Sequence, residues 1–392
     1  MENKQKASTF RAFFVVGGAY ASYTIGAGFA SGNEVIQFAG SFGIPGAFIA
    51  VLCAVIMNAY FCASAYKVGQ SQSFARNRDV YEFFTGSKIV AWIFDVFVIL
   101  FVLGIFATMF SGAGSMINQF LGLPQFAGSI ILGIIAAVVV FGGFKRVENV
   151  LGYAGIIIIA FIVIVGIISL FHPNSSFDQS APVVQMVQEG AIWQANMFGL
   201  LGLDWPTNPV INGFIYSGVC LIVCIPFIVA LGRSSTNDTK QAIGSGIFSG
   251  IFFGVGFLLC LIILLANFNY VVDPASGSMF PIPALAAIQG LFGGGVGGAY
   301  MVILIIGIFT TVTGYLWLLT ERVFGETKNY KSNIFTAVLM VFGVVLGSVL
   351  PFSAMVNFLW PISGFVGVIF VIFMIVRDIR GMGKKDSDSK AA

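Results

Sequence analysis

Residues 26–37 read GAGFASGNEVIQ, with Gly26, Gly28 and Gly32 inside seven positions and Glu34 two residues beyond the last of them. The stretch sits in an apolar run that extends from about Phe10 to residue 40. A helix crossing a bilayer needs about 20 mostly apolar residues, so this run is too long for one straight crossing. Each glycine weakens a helix by about 1 kcal/mol relative to alanine. Three together predict that the first helix breaks here. Unwound backbone at bilayer depth is tolerated only where it is buried in protein or lines a cavity. Glu34 would then open the second half-helix, where a carboxylate suits the positive end of the helix dipole. An intramembrane carboxylate is by default a site for a substrate amine, a cation or a proton.

Composition supports the membrane reading. Of 392 residues, 58% are hydrophobic and 9% charged, against about 25% charged in soluble domains. The mean hydropathy is +0.97. A net charge of +3, carried by scattered bases, gives no nucleic-acid footprint. Cys53, Cys62, Cys220, Cys224 and Cys260 all lie in apolar runs without metal-ligand spacing and read as packing residues. The single histidine, His172, stands where an apolar run ends. No nucleophile–base pair or metal cluster points to an enzyme or to a bound cofactor. The many phenylalanines read as lipid-facing.

Ten apolar runs are long enough to span, near 10–40, 45–66, 89–118, 125–143, 149–171, 208–232, 241–267, 296–320, 332–350 and 355–376. With ten spans, all 19 Lys and Arg fall on one side of the membrane, while Asp178, Glu189, Asp204 and Asp273 fall on the other. Basic residues mark the cytoplasmic side, so both termini are expected there, in a multi-pass protein of the cytoplasmic membrane. The spans divide as five plus five. An odd number per half reverses the second half in the membrane, the arithmetic of an inverted repeat. The expected units are a cytoplasmic tail 1–9, a first five-helix repeat 10–171, an extracellular connection 172–206, a second inverted repeat 207–377 and a cytoplasmic tail 378–392. A shorter external stretch, 271–294, reads as a loop with a helix over Pro283–Leu291.

Span 6 corresponds to span 1 by this symmetry. Gly218 and Pro226 predict a second break near 215–219, beside Tyr216 and Ser217. Span 8 carries Gly307, Thr310 and Thr311 on one helical face. That face offers two hydroxyls and a carbonyl, hard oxygens suited to Na⁺. Asp95, near the cytoplasmic start of span 3, reads as a partner for a base or a helix terminus.

These residues carry a family resemblance. GAGFASGNEVIQ (26–37), MFSGAG (109–114), Tyr216–Gly232 and IFTTVTG (308–314) resemble the YkvI-like membrane proteins, identified as amino acid permeases. The likeness covers essentially the whole chain and resembles a branch of the amino acid–polyamine–organocation superfamily. It implies the LeuT-type fold, an all-α membrane protein of ten transmembrane helices in a 5+5 inverted repeat, with helices 1 and 6 broken. Spans 1, 2, 6 and 7 would move as a bundle against a scaffold of spans 3, 4, 8 and 9. The resemblance also implies a Na⁺ site made by the carbonyls of Ser22 and Ile25 with Gly307, Thr310 and Thr311. The lysine that replaces this ion in some proton-coupled relatives is absent from span 5. The implied substrate site involves Gly26, Gly28, Gly32 and Glu34 of span 1 and Tyr216 and Ser217 of span 6, with Phe29, Ser111 and Phe309 facing the pocket.

The expected function is Na⁺-coupled symport of an amino acid or similar small zwitterion by alternating access. The alternative is a proton-coupled carrier of an amine or organocation that uses Glu34. A channel or passive scaffold needs neither the repeat nor the broken first helix.

Overall fold

The computed structural model describes residues 13, 16–20, 24, 27–141, 157, 160–173, 180–324 and 330–381. Ser22, Ile25 and Gly26 lie outside the described residues, as do the expected tail 1–9 and residues 382–392 of the expected tail 378–392, whose first residues 378–380 instead continue the last helix. Among the described residues the regular structure is helical, apart from one isolated antiparallel bridge between Val272 and Met279.

Span 1 includes the helical residues 16–20, then α1 (Ala27–Ser31) and α2 (Asn33–Phe38). The long helices that follow are α3 (Gly43–Ser71), α5 (Lys88–Leu121) and α6 (Gln125–Phe141), with a short α4 (Asn77–Thr85) between α3 and α5. An apolar α7 (Ala160–Phe171) completes the first half. The second half holds α8 (Pro209–Ser235), α9 (Thr239–Ala266), the short α10 (Pro283–Phe292), α11 (Gly294–Phe324), α12 (Tyr330–Val349) and α13 (Phe352–Arg380). Among the described residues, seven helical stretches are long and apolar enough to cross a membrane, and α7 and part of α6 are shorter apolar helices. Their positions follow the apolar runs of the sequence to within a few residues. The helix at Pro283 stands where the loop reading puts it. Lipid cannot satisfy backbone polar groups, so each run has to close its own hydrogen bonds as a helix.

Helix ends are set by local side chains. Ser87, Asn208 and Asp238 accept the N–H groups of Val90, Ile211 and Gln241 at 3.4, 3.0 and 2.8 Å, capping α5, α8 and α9.

Two packing groups emerge. Helix α3 packs on α8 and α9, and Tyr20 and Phe29 of span 1 lay their rings on Phe253 of α9. Helix α5 packs on α6, α11 and α12. Helix α13 touches both groups, through α8 and through α5. Between α9 and α3 the contact is backbone-close: Gly246, Gly250 and Gly254 face Ala63, Ala59 and Val55, leaving no space for a Cβ. Small residues at this spacing let membrane helices approach, where a hydrophobic driving force is absent.

The first helix breaks, and the break is at Gly32. Its φ of 80° is left-handed backbone between α1 and α2. Gly28 remains inside α1. The expected break of span 6 is not found: α8 runs as one helix from Pro209 to Ser235, with Pro226 inside it. Gly218 serves close packing instead, against the backbone of Gly364 on α13. Pro226 has no N–H for the carbonyl four residues earlier, that of Ile222. The Tyr81 hydroxyl of α4 donates to that carbonyl at 2.8 Å. The helix therefore keeps its course while its freed acceptor is satisfied from outside.

Candidate functional site

Glu34 opens α2 and is buried, 5% exposed. The Trp360 indole of α13 and the Tyr216 hydroxyl of α8 reach toward its carboxylate as donors. It lies back over Gly28: a Cβ there would sit 3.3 Å from Glu34 Oε1 and 3.2 Å from Trp360 Cζ2. The glycine in α1 thus leaves room for a carboxylate and an indole beside the helix backbone, and Glu34 is held between span 1, α8 and α13.

The carboxylate opens onto a cavity of ≈ 20 Å³ that also touches Thr24, Asn58, Tyr216, Ser217 and Phe253. That volume is about one water-sized probe sphere. Any organic ligand therefore requires the walls to separate. Asn58, in the middle of α3, organises the polar wall. It accepts from the Tyr20 hydroxyl and donates to Ser217 Oγ at 2.6 Å and to the Ala54 carbonyl at 2.8 Å. Spans 1 and 6 are thus tied through one amide on span 2. The apolar wall is aromatic. Tyr216 packs on Phe257, Phe38 and Phe253, with ring centroids 4.6, 5.3 and 6.4 Å apart. Phe29, Phe38 and Phe257 are buried in the protein, so this part of the phenylalanine content faces the bundle interior and not lipid.

A second, apolar cavity of ≈ 10 Å³ touches Ser31, Met109, Met116, Leu304, Ile308 and Phe352. The half-helix beyond the break is fastened to α13. Asn33 Nδ2 donates to Ser353 Oγ at 3.1 Å and to the Pro281 carbonyl at 3.2 Å, and Gln37 Nε2 donates to Asn357 Oδ1 at 2.7 Å. The oxygens Asn33 Oδ1 and Gln37 Oε1 stay buried without a donor.

The three oxygens expected on span 8 lie together because both hydroxyls bond back to their own helix, the usual arrangement of a threonine in a membrane helix. The Gly307 carbonyl accepts from Thr310 Oγ1 at 2.8 Å and from Thr311 Oγ1 at 3.0 Å. The carbonyls of Ser22 and Ile25, expected opposite them, lie outside the described residues.

Of the expected pocket residues, Glu34, Tyr216 and Ser217 share the polar cavity. Phe29 turns to α9, against Phe253 and Phe257. Gly32 supplies the break, and Phe309 is buried without reaching either cavity. Ser111 does not face the pocket. Its hydroxyl donates to the Leu350 carbonyl at 2.5 Å and accepts from Gln125 at 3.1 Å, joining α5 to the scaffold helices behind it. A small polar residue on a long helix can face either side, and spacing alone does not choose. Sequence reading missed Asn58 and Trp360. An amide in the middle of an apolar run was the available signal for the first. The second needed the pairing of α2 with α13, which no local pattern carries.

No family model matches the chain. Over 371 residues it is 24% identical to the uncharacterized membrane protein YkvI of Bacillus subtilis (strain 168), covering 95% of this chain and 96% of that one. Its backbone is similar to that of the Eremococcus coleocola manganese transporter, with a TM-score of 0.58 at 14% identity over 96% of this chain and 80% of the other. It is also similar to Mhp1, a nucleobase-cation-symport-1 family transporter in a closed conformation with bromovinylhydantoin bound. There the TM-score is 0.55 at 13% identity, over 88% and 74% of the two chains. The chain is thus a multi-pass helical membrane protein with a LeuT-like fold, similar along nearly its whole length to YkvI.

Proposed function

We propose that this chain is a secondary transporter of the cytoplasmic membrane that carries an amino acid or similar small zwitterion together with Na⁺ by alternating access. The reading takes ten spans in a 5+5 inverted repeat, with both termini cytoplasmic; the one-sided placement of all 19 Lys and Arg supports it. The observation that carries it is the convergence of the Gly307 carbonyl with the Thr310 and Thr311 hydroxyls on one helix face. In this reading the Ser22 and Ile25 carbonyls complete the ion's shell and tie span 1 to span 8. The break at Gly32 and the closed cavity beside Glu34 support a site that opens to each side in turn. Among the described residues, no three His, Cys, Asp or Glu side chains converge as ligands for a metal ion.

The test is stability and uptake in Na⁺ against K⁺. A ligand that binds only the folded state raises its apparent stability. Na⁺ is expected to raise the Tm of the detergent-purified protein. Thr311→Ala is expected to weaken the apparent Na⁺ affinity at least tenfold, in unfolding and in proteoliposome uptake. A second reading, proton-coupled transport of an amine or organocation, is favoured by the burial of Glu34 at the cavity. Uptake that ignores Na⁺, follows a pH gradient and is lost in Glu34→Gln would put it in first place.

A further inference from the structure

The Glu34 carboxylate offers about four lone-pair positions. Among the described residues, two donors meet it, Trp360 and Tyr216, and both are neutral. Described Lys, Arg and His side chains are missing from the walls of both cavities. A carboxylate buried among neutral groups is costly unless a proton neutralises it or a cation completes it. The rest of the wall suits a cation as well. Tyr216 and Phe253 line the same cavity, and aromatic rings attract ammonium groups. The Ser217 and Thr24 hydroxyls supply further acceptors beside them. An ammonium has three N–H donors and no acceptor, the complement of this wall. A carboxylate placed there would meet like charge.

We propose that Glu34, with Tyr216 and Trp360 orienting it, is the receptor for a primary ammonium group of the substrate, so that the substrate's positive end is held by a side-chain carboxylate. The proposal rests on the transporter reading and names the chemistry its site selects: amines and zwitterions enter, and monoanions do not.

Three probes share one tail and differ in charge: leucine, isopentylamine and 4-methylpentanoate. Binding is read by thermal unfolding and by competition in proteoliposomes. Leucine and isopentylamine are expected to shift the Tm of the wild-type protein, and 4-methylpentanoate to leave it unchanged. Glu34→Gln is expected to weaken both amines at least tenfold while keeping the Na⁺ shift that depends on Thr311. That retained shift shows the variant folded. Binding of 4-methylpentanoate as strong as that of isopentylamine overturns the proposal without any variant, as does full amine binding in Glu34→Gln. With the Na⁺ shift intact, failure of both amines also overturns it. Loss of the Na⁺ shift in the wild-type protein, with amine binding retained, would count against the Na⁺-coupled reading and leave this receptor standing.

Discussion

Among the described residues of the first span, Gly32 is the one in left-handed backbone, and its surroundings leave no space for a side chain. A Cβ there would lie 2.8 Å from Leu264 Cδ2 and 3.1 Å from Ala284 Cβ. Left-handed backbone costs an L-residue about 1–2 kcal/mol before any clash is counted. Gly32→Ala is therefore expected to lower the Tm in detergent and to impair uptake, and an unchanged Tm would show the break to be relaxed. At this scale the sequence was legible where chemistry is local. The glycine run announced the break, and an acid in an apolar segment announced Glu34. It was illegible where a residue's meaning lies in a distant partner. Trp360 meets Glu34 across hundreds of residues, and Ser111 bonds to the Leu350 carbonyl and to Gln125 of α6 where the resemblance had put it toward the pocket. The Ser22 and Ile25 carbonyls rest on position alone.

Among the helices, α8 differs most from its sequence reading. Glycine and proline in a span mark either a hinge or a close approach, and in α8 they mark a packing site and a freed carbonyl. The bond from Tyr81 to the Ile222 carbonyl makes the second role testable. Both residues are fully buried or nearly so, with Tyr81 0% exposed. Tyr81→Phe leaves a buried acceptor unpaired, which costs about 1–3 kcal/mol. Pro226→Ala restores an N–H to the same carbonyl. The cost of Tyr81→Phe should then shrink in the Pro226→Ala background, a coupling that a double-mutant cycle in denaturant reads directly. Additive losses would show that Tyr81 acts through packing alone. The α4 helix that brings Tyr81 is itself short and rich in charged residues, and its stretch read only as a cytoplasmic loop in the sequence.

For the whole molecule, the helical fold followed from the apolar runs because lipid leaves backbone little alternative to a helix. The relation between the groups did not follow, since nothing in a run says which neighbour it faces. The structure closes one end of the molecule around α2. Asn33 and Gln37 bond to α13, the Ala195 N–H donates to the Gln37 carbonyl at 3.1 Å, and Gln119 of α5 exchanges two 3.0 Å bonds with Ile282 before α10. If α2 must part from α13 to admit substrate, a tether between them stops transport. In a cysteine-free background, Asn33→Cys with Ser353→Cys, bridged by a short thiol-specific crosslinker, should abolish uptake, and cleaving the bridge should restore it. Undiminished uptake in the bridged protein would place the entry path elsewhere.

The freed carbonyl of Ile222 has a consequence for how the other end opens. An acceptor inside an intact helix has its partner in every conformation, but this one depends on a hydroxyl from a separate segment. Were α4 to part from α8, the carbonyl would be stranded unless solvent reached it. Hydration is the natural replacement, since a bridging water is nearly as good a partner as a direct bond. Opening of that end is thereby linked to wetting. Such a seam would resist separation while dry and yield once water entered, favouring a door either sealed or flooded over one that stands ajar.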